Sequence, residues 1–366
     1  MSIGSYWWNC TAECPQDEFP NCSAWKHSDL GPPGPPYANC STTTGLPWYD
    51  HDGYHNPISD DLDGPRLGSL SDAVVSLSLS NFYFNQTSHG ERAIDLLRTW
   101  FLNPDTQMLP SGAFAQGIPG RCEGRGIGLI DFATSIPNIL EAIQLLRFCG
   151  TMPSTDFAQL QDWMRQWLSY LTDSSNGQDE AAAKNNHGSN YDKHVVAVAA
   201  FLQNTSFVEK VCEEAGPNRV AVQVGPNGTL PMEDSRTKSE EYHMFDTIAL
   251  LNLATLCNVH AHQSDPSKSL FDYIPTSSGA AKSGLHDVVE WLEQFVPGES
   301  ARQWPFTQIR PVPNPELSFG TIYRLAANAP QWSADAQHYE SLAQTLLNAS
   351  ETTPWEVVLT TPSSST

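Results

Sequence analysis

The chain has 366 residues, 40% of them apolar, and a formal net charge of −22. That acidity argues against a nucleic-acid partner, which needs a basic footprint. No apolar run approaches the roughly 20 residues of a membrane span. The length alone suggests about two domains, although a single helical toroid also reaches this size.

Residues 1–66 form an arm rich in Cys, Pro, Trp and Tyr, with Gly31-Pro32-Pro33-Gly34-Pro35-Pro36 forbidding regular structure there. It carries four of the eight cysteines, Cys10, Cys14, Cys22 and Cys40; Cys122, Cys149, Cys212 and Cys257 follow. An even count with no second close pair of Cys or His favours disulfides over zinc, and the pairing is left open. N-x-S/T sequons stand at Asn9, Asn21, Asn39, Asn85, Asn204, Asn227 and Asn348. Together with the cysteines they predict a secreted glycoprotein. Met1-Ser2-Ile3-Gly4 opens no signal-peptide core, so an initiator Met is expected in place of a leader. The Ser/Thr-rich end, 356–366, is expected to be disordered.

From Leu70 the helical period takes over. Ser71-Asp72 is expected to cap a helix to Phe84, and Glu91 to Phe101 gives a second. Ser111 to Asp131 reads as a Gly-rich loop. Helices follow at Ser135–Cys149 and from Thr155 to Leu171. The polar run Lys184-Asn185-Asn186-His187-Gly188-Ser189-Asn190-Tyr191-Asp192 is too rich in Asn and Gly for a helix interior. It is expected to open into a buried helix over Val195–Leu202. Ser206 to Glu214 is helical and resumes after Pro217, Val222 to Met232 reads as a turn or short strand, and Ser239 to His260 is a long apolar helix. Gly284–Phe295, Phe319–Ala327 and Ser333–Leu347 complete about ten helices in hairpin-like succession, without βαβ alternation. The predicted class is all-α: an (α/α) toroid, an incomplete barrel of helix hairpins over 67–355, with the irregular arm packed on it.

Three segments concentrate chemistry. Ala115 to Asp131 contains Gln116 and Gly124-Arg125-Gly126, where glycines admit a close backbone approach. The second is the Asn185/Asn186/His187 cluster with Lys184. The third is Asp234-Ser235-Arg236-Thr237-Lys238-Ser239-Glu240-Glu241-Tyr242-His243. At about 100° per residue Tyr242 shares a face with Lys238 and Ser239, and Arg236 meets Tyr242 only if it precedes the helix. In the arm, Trp48-Tyr49-Asp50-His51 mixes aromatic, His and acidic groups. Taken singly, a Tyr on an apolar helix is ordinarily core and a lone His ordinarily structural.

Arg, Asn, His and Tyr together suit β-elimination from a uronic acid. The C5 proton becomes removable once the neighbouring carboxylate is neutralised by cations and donors. A Tyr whose acidity is raised by nearby positive charge can take that proton and return it to O4. One Tyr suffices where H5 and O4 are syn, as in glucuronate and mannuronate; for guluronate a second group such as His187 is needed. The alternatives are an inverting glycoside hydrolase using two of Asp50, Asp52, Asp179 and Glu180, and a non-catalytic polyuronate-binding protein.

Ordered blocks across residues 48–260 resemble the alginate-lyase family of polysaccharide lyases. They include Asp52-Gly53 with Asn56-Pro57, Leu70-Ser71-Asp72-Ala73, Leu97-Arg98-Thr99-Trp100-Phe101-Leu102, Ala115-Gln116 with Ile118-Pro119-Gly120, and Gly124-Arg125-Gly126. The strongest is Asn176-Gly177-Gln178-Asp179-Glu180-Ala181-Ala182-Ala183-Lys184-Asn185-Asn186-His187-Gly188, with Tyr191-Asp192; Arg236-Thr237, Ser239 and Tyr242 close the set. The resemblance implies Tyr242 as base and acid, His187 as second acid/base or tuner of Tyr242, and Asn186 with Arg236 as neutralisers of the substrate carboxylate. Gln116 and Arg125 would line subsites, and Asn185, Lys184, His51, Tyr49, Trp48 and His243 are further substrate-binding candidates. His51 replaces the Lys or Arg frequent before Asp-Gly in the family, and Asn190 stands where an aromatic is common. A monomer needing no metal or other cofactor is expected, acting on an anionic polysaccharide: glucuronan first, polymannuronate or alginate next.

Overall fold

The computed structural model describes residues 1–17, 40–262, 265–275, 283–298 and 300–350. The Pro-rich run of the arm, Cys22, the sequons at Asn21 and Asn39, and the Ser/Thr tail lie outside the described residues. The chain divides into two compact units, Met1–Ala182 and Ala183–Thr366. Both are helical, and the strands among the described residues are two short ones, so the class is all-α, built of helix hairpins as the (α/α) toroid reading requires.

In the first unit, β1 (Trp7–Trp8) pairs antiparallel with β2 (Tyr49–Asp50), Trp7 opposite Asp50. Backbone bonds tie the arm to the Gly-rich loop: Ser2 donates to the Phe114 carbonyl, Gly4 to Gly117, Gly117 back to Ser2, and Trp48 to Pro119. Helix α1 (Asp63–Phe84) begins about two turns earlier than its Ser71-Asp72 signal. Ser71 is instead buried mid-helix, its hydroxyl donating to the Ser135 carbonyl at 3.3 Å. With α2 (Thr87–Leu97) α1 forms a hairpin and packs on α3 (Ser135–Phe148). Leu67, Val74 and Val75 of α1 and Ile136, Ile139, Ile143 and Leu146 of α3 are all buried where the two helices pack. Each such side chain contributes about 1.5–3 kcal/mol by leaving water. The helical run Gly126–Phe148 is long and apolar enough, by length and composition, to cross a membrane, but half of it is buried inside the protein, as a core helix would be. Helices α4 (Ser154–Asp173) and α5 (Ser175–Ala181) end the unit; Ser174 between them accepts the Gly177 amide at 3.0 Å.

The second unit contains α6 (Asn186–Phe201), α7 (Thr205–Ala215), α8 (Pro231–Asp234), α9 (Ser239–His260), α10 (Leu285–Leu292), α11 (Pro315–Ala327) and α12 (Ala336–Ala349). Helix α6 packs on both α7 and α9, and α11 pairs with α12. Val222 to Met232 holds no strand; a 3-10 turn at Pro226–Gly228 leads into α8. Disulfides join Cys10 to Cys40 and Cys212 on α7 to Cys257 on α9, and Cys14 is also oxidised. Disulfides are thus present as the cysteine count favoured, while Cys122 and Cys149 are free thiols.

The principal correction concerns the polar run. It is not a loop before a helix but the first turns of α6, and Asn186 and Gly188 to His194 are buried. Several of its polar groups are met by side chains remote in sequence. Arg219 clamps the Asp192 carboxylate through Nε and Nη2 at 2.7 and 2.8 Å and donates from Nη1 to the Ala183 carbonyl at 2.9 Å. Ser189 donates to Gln223 Oε1 at 2.9 Å, and Asn190 Nδ2 to the Asn186 carbonyl at 2.9 Å. Gly188 is required by space: a Cβ there would stand 2.2 Å from the Ala183 oxygen and 2.6 Å from Arg219 Nη1.

Candidate active site

The second unit gathers the strongest candidates. Arg236 lies in the short link between α8 and α9, before the helix proper, which is the condition for meeting Tyr242. Its guanidinium carbon sits 3.8 Å from the Tyr242 ring centroid, and the Lys238 ammonium is 5.8 Å from the same centroid. Lys238 is nearly fully buried and ion-paired to Glu241 at 2.7 Å; Arg236 and Tyr242 are half-buried. A guanidinium over a phenol ring, with an ammonium beside it, favours the phenolate electrostatically.

The link is held by residues the sequence did not single out. The chain at 304–310 runs beside the start of α9: Ile309 donates to the Thr237 carbonyl at 3.0 Å, and Ser239 donates through backbone and hydroxyl to Thr307. Gln308 Oε1 accepts the Glu240 amide at 3.0 Å, satisfying one exposed donor at the helix N-terminus. Trp304 Nε1 donates to the Ser239 hydroxyl at 2.7 Å, and Arg310 comes within 3.9 Å of Glu241.

Glu233 on α8 connects this link to α6. Its Oε1 accepts both the backbone N–H and the Nδ2–H of Asn186, at 2.7 and 2.8 Å. Burial pushes the Glu233 carboxyl above its ordinary range, opposed by the two Asn186 bonds and by the charges of Arg236 and His187. Glu233, Asn186, His187, Arg236 and Tyr242 therefore form one electrostatic cluster. Asn186 is fully buried, and its Oδ1 accepts no hydrogen bond among the described residues. His187 is half-buried, Lys184 is exposed, and the Asn185 carbonyl accepts from Gly188 N, Ser189 N and Gln223 Nε2. Behind the cluster, burial and the neighbouring Glu233 hold Asp246 well above the carboxylate range, against Ser189 and Arg219.

His243 faces away from its neighbour Tyr242, as consecutive helical residues do. It is wholly buried, its Nδ1 2.7 Å from Asp234 Oδ1, stacked on Trp291 at 4.8 Å and edge-on to Trp304. A polymer in solvent does not reach it in this state.

The remaining candidates lie in the first unit. Gln116 is buried with a left-handed backbone, φ 47°, and its Oε1 accepts from Arg125 Nη2 at 2.8 Å while its Nε2 donates to Asp131. Arg125 lies over the Trp7 ring, and burial lowers its guanidinium pKa despite Asp50, Asp131 and Glu180 nearby. Tyr49 and His51 are buried, and Trp48 is half-buried. Arg121 covers Tyr49 at 4.8 Å from its ring centroid and donates to the Trp48 carbonyl at 2.7 Å. Among the described residues no three His, Cys, Asp or Glu side chains are gathered as a metal site.

Residues 15–301 match the alginate lyase family. A crystal structure of an alginate lyase from Bacteroides ovatus is similar in fold, with a TM-score of 0.77 and 25% sequence identity, covering 96% of this chain and 80% of that one. No curated protein sequence matches. A family match over most of the length, joined to that likeness of fold, gives the conclusion: the chain belongs to the alginate lyase family and is a polysaccharide lyase acting on an anionic polysaccharide.

Proposed function

We propose that this lyase cleaves 1,4-linked polyuronate by β-elimination at Tyr242, with glucuronan its preferred substrate and polymannuronate next. The observation that carries the reading is the Arg236 guanidinium 3.8 Å from the Tyr242 ring, with Lys238 beside it. Tyr242, as phenolate, removes H5 of the uronate on the non-leaving side of the bond. The electron pair of the C5–H bond passes into the carboxylate-stabilised enolate, then forms the C4–C5 double bond as the C4–O4 bond breaks. Tyr242 returns its proton to O4, so one residue serves both steps where H5 and O4 are syn.

Arg236 neutralises the substrate carboxylate, and the remaining amide hydrogen of Asn186, fully buried before substrate binds, joins it once binding uncovers that residue. Glu233 limits where Asn186 can turn. His187, within the field of the same carboxylate, holds the protonation state that Tyr242 needs. The sequons and disulfides support a secreted enzyme of fungal type, which meets glucuronan more than seaweed alginate. Membership of a lyase family leaves the hydrolase reading of Asp50, Asp52, Asp179 and Glu180, and the non-catalytic reading, without support.

A panel of glucuronan, polymannuronate and polyguluronate, followed by the ultraviolet absorbance of unsaturated ends, tests the proposal. Glucuronan is expected to give the fastest rise. Tyr242→Phe should lower turnover by about a thousand-fold, the scale of a lost acid–base group, while leaving substrate retention nearly unchanged. Turnover by Tyr242→Phe close to that of the parent would overturn the assignment, and a fastest rise on polyguluronate would overturn the syn geometry.

A further inference from the structure

The first unit carries a patch of exposed aromatic rings that the lyase reading leaves unused. Phe82, Tyr83 and Phe84 end α1 with 39, 60 and 72% of their surface exposed, and Phe148 at the end of α3 is 80% exposed. Phe82 packs on both Tyr83 and Phe148, with ring centroids 5.0 and 5.8 Å apart. Single exposed rings need no explanation, but a contiguous apolar patch marks something that covers it.

The next residue in the chain is Asn85, the acceptor position of Asn85-Gln86-Thr87. It stops α1 by turning left-handed, φ 53° and ψ 37°, and it is exposed, as are Gln86 and Thr87. At two of the other sequons the side chain is engaged locally: Asn9 Oδ1 accepts from Thr11 N and Oγ1, and Asn204 Oδ1 from Phe207 N. Disulfides at Cys10–Cys40 and Cys212–Cys257 fit an oxidising compartment, the setting in which sequons are modified.

We infer that Asn85 carries an N-linked glycan whose first sugars lie over Phe82, Tyr83, Phe84 and Phe148. The Asn85 Nδ2 attacks the anomeric carbon of an oligosaccharide carried on a polyprenyl pyrophosphate. A C–N bond forms as the C–O bond to phosphate breaks, the pyrophosphate leaves with the electron pair, and the Nδ2 proton passes to a base of the transferase. The C–H face of a pyranose is apolar and flat, matching an aromatic ring, while its hydroxyls face water. Covalent attachment beside the patch raises the sugar's effective concentration there, so weak stacking suffices. A diffusing partner lacks that advantage.

The full chain secreted from yeast tests this by peptide mapping after glycosidase release in heavy-oxygen water. The Asn85 peptide is expected to carry the label, with loss of the corresponding mass in Asn85→Gln. An unmodified Asn85, whatever the state of the other sequons, overturns the inference. Fluorescence of the apolar dye ANS on the folded protein should rise after glycan removal and in Asn85→Gln, and this rise should vanish when Phe84→Ser and Phe148→Ser are added. A glycan whose removal leaves dye binding unchanged overturns the covering role. Polyuronate retention by the glycosylated protein that is lost in Phe148→Ser assigns the patch to substrate instead, and a dimer that dissociates in Phe148→Ser assigns it to a second copy; either overturns the inference. Lyase turnover in Asn85→Gln should match the parent, which reports an intact fold.

Discussion

Arg236 and Tyr242 meet because the chain turns between them. Six positions apart on one helix they would diverge; with Arg236 in the link before α9, the guanidinium folds back over the ring at 3.8 Å. The residue types were readable from the motif, but this contact was not, since a link's path is set by what it packs against. Glu233 was not readable at all. Its importance comes from a meeting with Asn186, 47 positions away, inside the protein. The pair yields a discriminating prediction. Glu233→Ala leaves a buried N–H and a buried amide without an acceptor and should cost about 1–3 kcal/mol. Glu233→Gln keeps an acceptor oxygen and should cost clearly less. Urea denaturation of the two variants compares them; equal losses would mean that Glu233 does not act through Asn186.

Helix α6 is the element on which the site depends, and it is where sequence reasoning failed most instructively. Asn, Gly, Ser and Asp disfavour a helix interior because their side chains compete for the backbone and because Gly gains entropy when released. Here tertiary partners override propensity: Arg219 takes Asp192, Gln223 takes Ser189 and Glu233 takes Asn186, and Gly188 lets the Ala183 carbonyl and Arg219 approach. Gly188→Ala would drive a methyl into both, and should lose about 1–3 kcal/mol by overpacking. It should also reduce turnover, because Asn186 and His187 occupy the same turn. Circular-dichroism melts and absorbance assays on one preparation check both effects; unaltered stability would show that the turn has room to give. Helix α9, by contrast, spans Ser239–His260 as its apolar pattern predicts, because from Ala249 to Cys257 its buried side chains are apolar and need only a hydrophobic neighbour.

At the scale of the whole molecule, two buried groups set opposite pH limits on stability. His194 is buried beside Lys193, and burial pushes its imidazole down to about 3 from 6.5. Its neutral form is native, so the unfolded chain binds the extra proton, and stability should fall as pH drops from 6.5 toward about 3. Asp246 works the other way. Burial and Glu233 raise it well above 3.8, so the native state holds the proton, and stability should fall as pH rises from 3.8 through the raised value. Melting temperatures across this range should be flatter on the alkaline side in Asp246→Asn than in the parent. An identical profile would mean that Asp246 does not titrate with folding.

By itself the sequence determined the all-α class, the approximate helix succession and the family, because apolar periodicity and ordered motifs are properties of short stretches. It also contained the chemistry of the site as residue types: a tyrosine, cations, amides and a histidine. Tertiary structure alone decided which of them meet. It buried Asn186 against Glu233, placed Arg236 over Tyr242, turned His243 into the protein and left Cys122 and Cys149 unpaired. For the two buried polar groups, Asn186 and His243, the physical reason is the same. Burying a polar group is tolerated only when a partner is supplied, and that partner can come from any distance along the chain.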